Sequence, residues 1–446
     1  LKAVNAKDLA VAYDALSREA GAGEAFGLAA VRLLREIGPE GIAPLFEYAR
    51  RFRQSNKVRT EAIRALAHRA GADGDNRAMI GAGLAKMLER VEQPAVRRQL
   101  LFSLKQAAVP EAYQAIRELL LPPEGTDPKL AAIEAKDCIA ILQQIATPEA
   151  LSTLLEVAEK HPDLKVRRDA VIDGLLPRAA QANGDGATVL DYLRRVVLSK
   201  DQDKGLRTEV IAGLADRGSR GVHPVLRALA SDGGLEEDLR KAAADGKLRL
   251  AERLTAPAAG ATVAREDLAA ATLILGEEAD RGDPARLKKL ADRILATGAA
   301  RKFQAGNARA LLARICARNP DAKPEEVLAA YQNAVDNAKQ DGLAQADEIA
   351  LRLKFRELIL AGAPDPVKDV RAVEESLRLA ELTAADKARS AGYLLDAAQY
   401  AAQRLKNRPR AEEILAQADK QGPFAGALAT RLTEIRALTA KLPAPG

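Results

Sequence analysis

The side chains best suited to chemistry in this chain are few and scattered. Its three histidines are His68, His161 and His223, and its two cysteines are Cys138 and Cys316. No histidine has another histidine or a cysteine on the same or the next helical turn, so local spacing builds no zinc site. His68 and His161 fall near expected helix C-termini, where imidazole is favoured by the helix dipole. The cysteines lie 178 residues apart on apolar helical stretches, which predicts two free buried thiols. Carboxylate pairs such as Glu236-Glu237 and Glu412-Glu413 fall in expected first helical turns. Negative charge stabilises a helix there without any acid–base role. There is no Gly-x-Ser-x-Gly, no Walker loop and no Gly-x-Gly-x-x-Gly between a strand and a helix. Gly81-Ala82-Gly83 sits inside a helical run and predicts a close helix–helix contact in place of a cofactor loop. The chain is therefore expected not to be an enzyme, to hold no metal and to bind no cofactor.

What remains is arginine, with tyrosine beside it. Glu47-Tyr48-Ala49-Arg50-Arg51 and Asp191-Tyr192-Leu193-Arg194-Arg195 repeat one pattern 144 residues apart. Tyr and Arg are the residue types that most often anchor binding surfaces, so Tyr48, Arg50, Arg51, Arg53, Tyr192, Arg194 and Arg195 form a candidate partner-contacting stripe. The competing reading is structural: cations complement the last turn of a helix, and the tyrosines pack between neighbours. Arg50, Arg51, Arg53, Lys57, Arg59 and Arg64 also bunch around one expected turn with few acids nearby. Such a basic edge suits an acidic partner or a nucleic-acid backbone.

The elements that carry these residues are helical. Hydrophobic residues make up 48% of the 446, aromatics only 3%, and there is no Trp. Abundant Ala, Leu, Arg and Glu are helix formers, and strand-preferring residues are scarce. The apolar runs are too short to cross a bilayer, so membrane insertion is not expected and a soluble chain is. Net charge is +6, divided evenly as +3 on residues 1–255 and +3 on the rest. Mixed signs along every helix read as solvated faces laced with ion pairs. High Ala and Arg with little Lys fits a GC-rich bacterial source. A start at Leu1 leaves the compartment open, with the cytoplasm favoured over the periplasm.

An internal repeat dominates the first part. Val58-Arg59, Val96-Arg97, Val166-Arg167, Leu206-Arg207 and Leu239-Arg240 each open a segment with apolar residues four and five positions on, and at Val58, Val96 and Leu206 also eight on. A degenerate copy lies at Ile133-Glu134 and a weaker one at Ala25-Phe26. The seven anchors are spaced 33, 38, 37, 33, 40 and 33 residues, a period of about 36 that accommodates two helices and their turns. Helix-period apolar stripes on both helices require neighbouring pairs to stack. A second part, after the uncharged Ala256-Pro257-Ala258-Ala259-Gly260-Ala261, loses the anchor but keeps helical periodicity. Second helices there are expected to start near Asp283, Pro324, Asp365 and Arg408.

With Val-Arg opening its second helix, the unit resembles a HEAT repeat over residues 1–255. Residues 256–264 form the linker or turn. The Pro324–Tyr331 and Arg410–Leu415 segments are similar to tetratricopeptide (TPR) second helices, which makes residues 265–446 a TPR-like domain. The fold class is thus an all-α solenoid of stacked helix pairs. The HEAT resemblance implies that Arg59, Arg97, Arg167, Arg207 and Arg240 form a structural ladder between repeats, interrupted where Glu134 replaces the arginine.

The expected function is a non-catalytic scaffold that binds a protein partner along an extended surface, taken to be the one formed by stacked second helices. The alternative is nucleic-acid binding through the Arg-rich edge, in the manner of HEAT-like DNA glycosylases, although a chain without Trp cannot build their Trp-rich cleft. HEAT-like chromophore lyases are a further class, for which no residue set stands out.

Overall fold

The computed structural model describes residues 23–50, 55–72, 74–91, 93–107, 110–121, 128–179, 185–256, 262–298 and 302–443, with positions 8, 11, 12 and 15. Two compact units divide the chain, residues 1–247 and 248–446. Every regular element among the described residues is a helix.

In the first unit, α1 (Gly23–Glu36), α2 (Ile42–Arg50), α3 (Asn56–Ala72), α4 (Arg77–Leu88), α5 (Pro94–Ala107), α6 (Tyr113–Leu120), α7 (Pro128–Ile145) and α8 (Pro148–Lys160) follow one another. Next, α9 (Leu164–Asp169) passes through a π-helical stretch, Ala170–Leu175, into α10 (Leu176–Ala179). Then come α11 (Asp185–Leu198), α12 (Lys204–Arg217), α13 (His223–Ser231) and α14 (Glu237–Leu254). Each anchor dipeptide lies near the start of a second helix, as the spacing predicts. Second helices pack on one another in chain order: α1 on α3, α3 on α5, α5 on α7, and α7 on the π-helical stretch. First helices cover them from one side. This is an α-solenoid whose core is the stacked row of anchor helices. Val58, Val96, Val166, Leu206 and Leu239 are all buried at their equivalent positions.

The second unit contains α15 (Arg265–Glu278), α16 (Pro284–Gly298), α17 (Lys302–Arg318), α18 (Pro324–Asn337), α19 (Gln345–Ala361), α20 (Pro366–Leu382), α21 (Lys387–Gln403), α22 (Arg408–Asp419) and α23 (Ala427–Ala440). It too is a helical array in which each element packs on its sequence neighbours. The four expected second-helix starts fall on α16, α18, α20 and α22. Caps explain why. Asp365 accepts from the backbone N–H of Val367 at 2.9 Å and of Lys368 at 3.2 Å, and Pro366 occupies the first helical position. Asp283 and Asn407 do the same work for α16 and α22, accepting from Arg286 N–H at 3.1 Å and Arg410 N–H at 3.0 Å. An Asp or Asn cap followed by Pro satisfies one orphan donor and removes another, so each helix start is pinned. Small side chains set the packing distance: Ala397, Ala398, Ala401, Ala402, Ala411 and Ala418 are all in the core formed by α20 to α23.

The division between units falls inside α14, ahead of the linker expected at 256–264, of which residues 257–261 lie outside the described residues. No helix among the described residues is long and apolar enough to cross a membrane. Cys138 and Cys316 are both free and buried.

Close approach at turns is tightest at Gly41. A Cβ there would lie 2.1 Å from the carbonyl oxygen of Leu34 and 3.1 Å from its carbon. The obstacle is backbone, which cannot rotate away as a side-chain tip can. Gly41→Ala should therefore lower stability by roughly 2–3 kcal/mol, read as a lower urea midpoint with an unchanged slope.

Candidate functional site

A groove of 870 Å3 runs along three successive first helices of the second unit. α15 contributes Ala269, Thr272, Leu273, Gly276 and Glu277; α17 contributes Asn307, Ala310, Leu311 and Arg314; α19 contributes Asp347, Ala350, Leu351 and Lys354. Tyr331 of α18 and Leu343 complete the lining. The same four positions recur on each helix, at i, i+3, i+4 and i+7, which is a single stripe. At i+3 stands a small residue (Thr272, Ala310, Ala350) and at i+4 a leucine (Leu273, Leu311, Leu351). The small residues keep the floor low, and of the three leucines Leu273 is exposed, Leu311 half-buried and Leu351 buried in the core beneath.

Two of these residues mark the groove as open. Leu273 is 53% exposed, one of the few large apolar side chains left in water among the described residues. Gly276 has no side chain where the stripe would place one, and a Cβ there would meet only the methyl groups of Leu311, at 3.8 and 4.0 Å. The rim is polar and mixed in sign: Arg314 donates to both carboxylate oxygens of Asp280 at 2.8 Å, and Lys354 donates to Glu357 at 2.9 Å. Tyr331 is buried at the base, and that burial raises its phenol above the ordinary range. The expected presenting surface was that of second helices, and this groove belongs to first helices instead.

The sequence-derived candidates fall elsewhere. Tyr48 and Tyr192 are 2% and 6% exposed, so both rings pack inside the first unit's stack. Burial, with Glu159 adding to it, pushes the Tyr192 phenol up to about 12. The Arg195 guanidinium lies 5.5 Å from the centre of the Tyr192 ring and pairs with Asp191 at 3.5 Å. Arg194 is exposed. Arg50 is exposed over the Phe46 ring, at 5.2 Å. Arg51 and Arg53 lie outside the described residues. Of the five described members of the expected stripe, the two tyrosines are buried and the three arginines exposed. The structure brings Arg50 and Arg59 together on one cavity with Lys86 and Arg90.

The ladder arginines behave as struts at three of five positions. Each reaches back to the end of the preceding helix with one nitrogen and forward by about one repeat with others. Arg59 donates to the Ala49 carbonyl at 3.1 Å and to the Gln93 amide oxygen. Arg207 donates to the Val197 carbonyl at 2.7 Å and, through both terminal nitrogens, to Glu236 at 2.8 and 2.7 Å. Arg97 donates to the Leu88 and Val91 carbonyls, each at 3.2 Å, and to Glu134 at 2.7 and 2.8 Å. Where the ladder loses its arginine, Glu134 is the carboxylate that receives the preceding one. Arg167 reaches back to the His161 carbonyl, and its neighbour Arg168 makes the forward pair, to Glu209. The Nε of Arg240 is buried with no hydrogen-bond partner among the described residues.

Glu236 reports the ladder electrically. The hydrogen bonds from Arg207 hold its carboxyl down to about 2, against about 4.3 for an unperturbed Glu. With the folded value depressed, its contribution to stability is complete above about pH 4.3 and is lost as pH falls towards 2. Arg207→Met should return the Glu236 carboxyl to the ordinary range, read by NMR titration of its side-chain carbon. An unmoved value would mean that the ladder contact does not persist in solution.

The second unit uses the same device with other spacings. Arg286 pairs with Glu252 at 2.6 Å, Arg356 and Arg431 converge on Asp396 at 3.0 and 2.7 Å, and Arg404 meets Asp369 at 3.1 Å. Arg352 lies deeper, donating to Glu348 at 2.8 Å and to Glu375 at 2.6 Å.

No protein-family model matches the chain, and no curated protein matches it either. Among solved structures it is similar to an engineered protein, with 19% identity over 84% of this chain and 96% of that one, at a TM-score of 0.32. A chain from the structure of Kap95p with RanGDP is 14% identical, at a TM-score of 0.36 over 98% of this chain. This chain spans 62% of the length of that one. The antigen c5321 of uropathogenic Escherichia coli, described as having an SLR fold, is 14% identical over 98% of this chain, at a TM-score of 0.20. These likenesses are too distant to carry an assignment, and the site is read from its own geometry.

Proposed function

We propose that the protein is a non-catalytic scaffold whose second unit grips an amphipathic segment of a protein partner in the α15–α17–α19 groove. The observation that carries this reading is the threefold small–leucine step along that groove, ending on the exposed Leu273. A groove that crosses successive helices over small residues, with an exposed leucine at one end, suits a partner whose own apolar residues recur at helical spacing, at i, i+3, i+4 and i+7. The mixed rim charges add orientation and rate more than affinity. With few aromatic side chains in the lining, the energy comes from several modest contacts and not from one dominant anchor. No membrane insertion and no resident cofactor enter this role.

The test is an affinity capture from lysate of the source organism, with nuclease, at low and high salt, comparing the native chain with Leu273→Asp. Leu273 is already exposed, so its replacement leaves the core untouched. A set of proteins retained by the native chain, resistant to salt and lost from the variant, supports the groove. Equal retention by both chains, or retained material that is nucleic acid eluting steeply with salt, overturns it.

A further inference from the structure

A cavity in the first unit carries a second, separate inference. It measures 350 Å3 and is lined by Arg50, Arg59, Lys86, Met87, Arg90 and Val91. Arg50 is the last residue of α2, Arg59 lies in the first turn of α3, and Lys86 and Met87 end α4 with Arg90 and Val91 just beyond. The dipole at a helix C-terminus favours one cation. It does not account for four cations, from three helices, facing one cavity.

Elsewhere in the chain, arginines close on carboxylates. Arg97, Arg207, Arg286 and Arg356 all do so. Here no carboxylate lines the cavity among the described residues. Arg50, Lys86 and Arg90 are exposed and make no ion pair among the described residues, where Arg50 lies over the Phe46 ring, 5.2 Å away. Arg59 forms the floor, 1% exposed and fixed by the Ala49 carbonyl and the Gln93 amide. Gln93 is uncharged and stands at the step where Arg97 and Arg207 meet Glu134 and Glu236. Met87 and Val91, both largely buried, add an apolar wall.

We propose that this cavity binds a phosphate monoester, with its phosphoryl oxygens held by Arg50, Lys86 and Arg90 and its organic part against Met87 and Val91. A phosphoryl group carries close to two negative charges near neutral pH and three acceptor oxygens, which match two guanidinium forks and one ammonium. The cavity's size suits a compact ligand. A nucleic-acid backbone would instead need cations strung along a track.

Calorimetric titration with phenyl phosphate at low ionic strength tests this. Saturable one-to-one binding is expected, weakened about ten-fold or more in Lys86→Met/Arg90→Met through loss of charge-assisted hydrogen bonds. Both side chains are exposed, so the variant's circular dichroism and melting should match the native chain's. Lys339→Met/Lys420→Met removes the same charge from exposed positions of the second unit and should bind as the native chain does. Absence of saturable binding, or equal weakening in both double variants, overturns the site. So does tight binding of mixed-sequence single-stranded DNA that phenyl phosphate fails to displace.

Discussion

Arg352→Met should destabilise the second unit by roughly 3–4 kcal/mol, the largest loss expected from any single charged residue here. The Arg352 guanidinium donates to Glu348, to Glu375 and, at 3.3 Å, to the Val335 carbonyl. Both carboxylates are buried, with their side chains 6% and 2% exposed. Burial raises the Glu375 carboxyl above its ordinary range, and Arg352 and then Arg371 oppose that shift. Removing the arginine strands two buried charges, and that desolvation cost, more than the lost attraction, is what unfolding would report. The loss should sit low in the range for broken buried pairs, because Arg371 still reaches Glu375 at 3.0 Å and Arg378 still reaches Glu348 at 3.6 Å.

The pH dependence of the variant separates this account from a simple packing loss. Without Arg352 the Glu375 carboxyl rises further. A carboxyl whose folded value lies above its unfolded value binds protons preferentially in the folded state, so stability is gained as pH falls through the raised value. The deficit of Arg352→Met should therefore shrink between pH 7 and pH 5, whereas a cavity would cost the same at both. Adding Glu375→Met should recover at least part of the loss, since two residues in direct contact are not additive. A pH-independent deficit with no recovery would sink the explanation.

The network also shows how far such a chain can be read in advance. Helix starts were legible because they depend on local chemistry: Asp283, Asp365 and Asn407 cap the helices they precede, and proline then stands in the first turn. The anchor arginines were legible as a recurrence, since Val58-Arg59 and Leu206-Arg207 lie in the same place on their helices. Their acceptors were not. Glu134 looks like a fault in the repeat when the chain is written as a line, and becomes the partner of Arg97 only once the stack brings residues 37 apart into contact.

Burial was legible only to the resolution of a helix face. Tyr48 and Tyr192 match a binding pattern by type and position, yet lie inside. Periodicity says that a residue occupies an apolar face without saying which apolar face another helix will cover. The groove escaped for the same reason. Its signal was present as Thr272-Leu273, Ala310-Leu311 and Ala350-Leu351, one pair per first helix at spacings of 38 and 40 residues. Taken singly, each pair reads as ordinary core. Their recurrence on first helices, in a part of the chain without the Val-Arg anchor, was the available clue.

Gly276 offers the sharpest test of whether that groove is used. In the interior of α15 a glycine costs roughly 0.5–1 kcal/mol relative to alanine through backbone entropy. Space does not demand it, since a Cβ would make only ordinary contact with Leu311. Gly276→Ala should therefore stabilise the unit by about that amount, seen as a higher urea midpoint. Gly276→Phe extends the experiment, because its ring would have to enter the groove that Gly276 lines with Leu311 and Ala310. Such a variant should fold at least as well as the native chain while losing about a hundred-fold or more in affinity for the partner, the effect of occluding the centre of an interface. Gain of stability together with loss of binding is the signature expected of a position kept open for a ligand. If Gly276→Phe folds normally and retains the partner at full affinity, the groove is not where the partner binds. If Gly276→Ala instead destabilises the unit, the stripe of α15 is packed at that position and the groove is closed there.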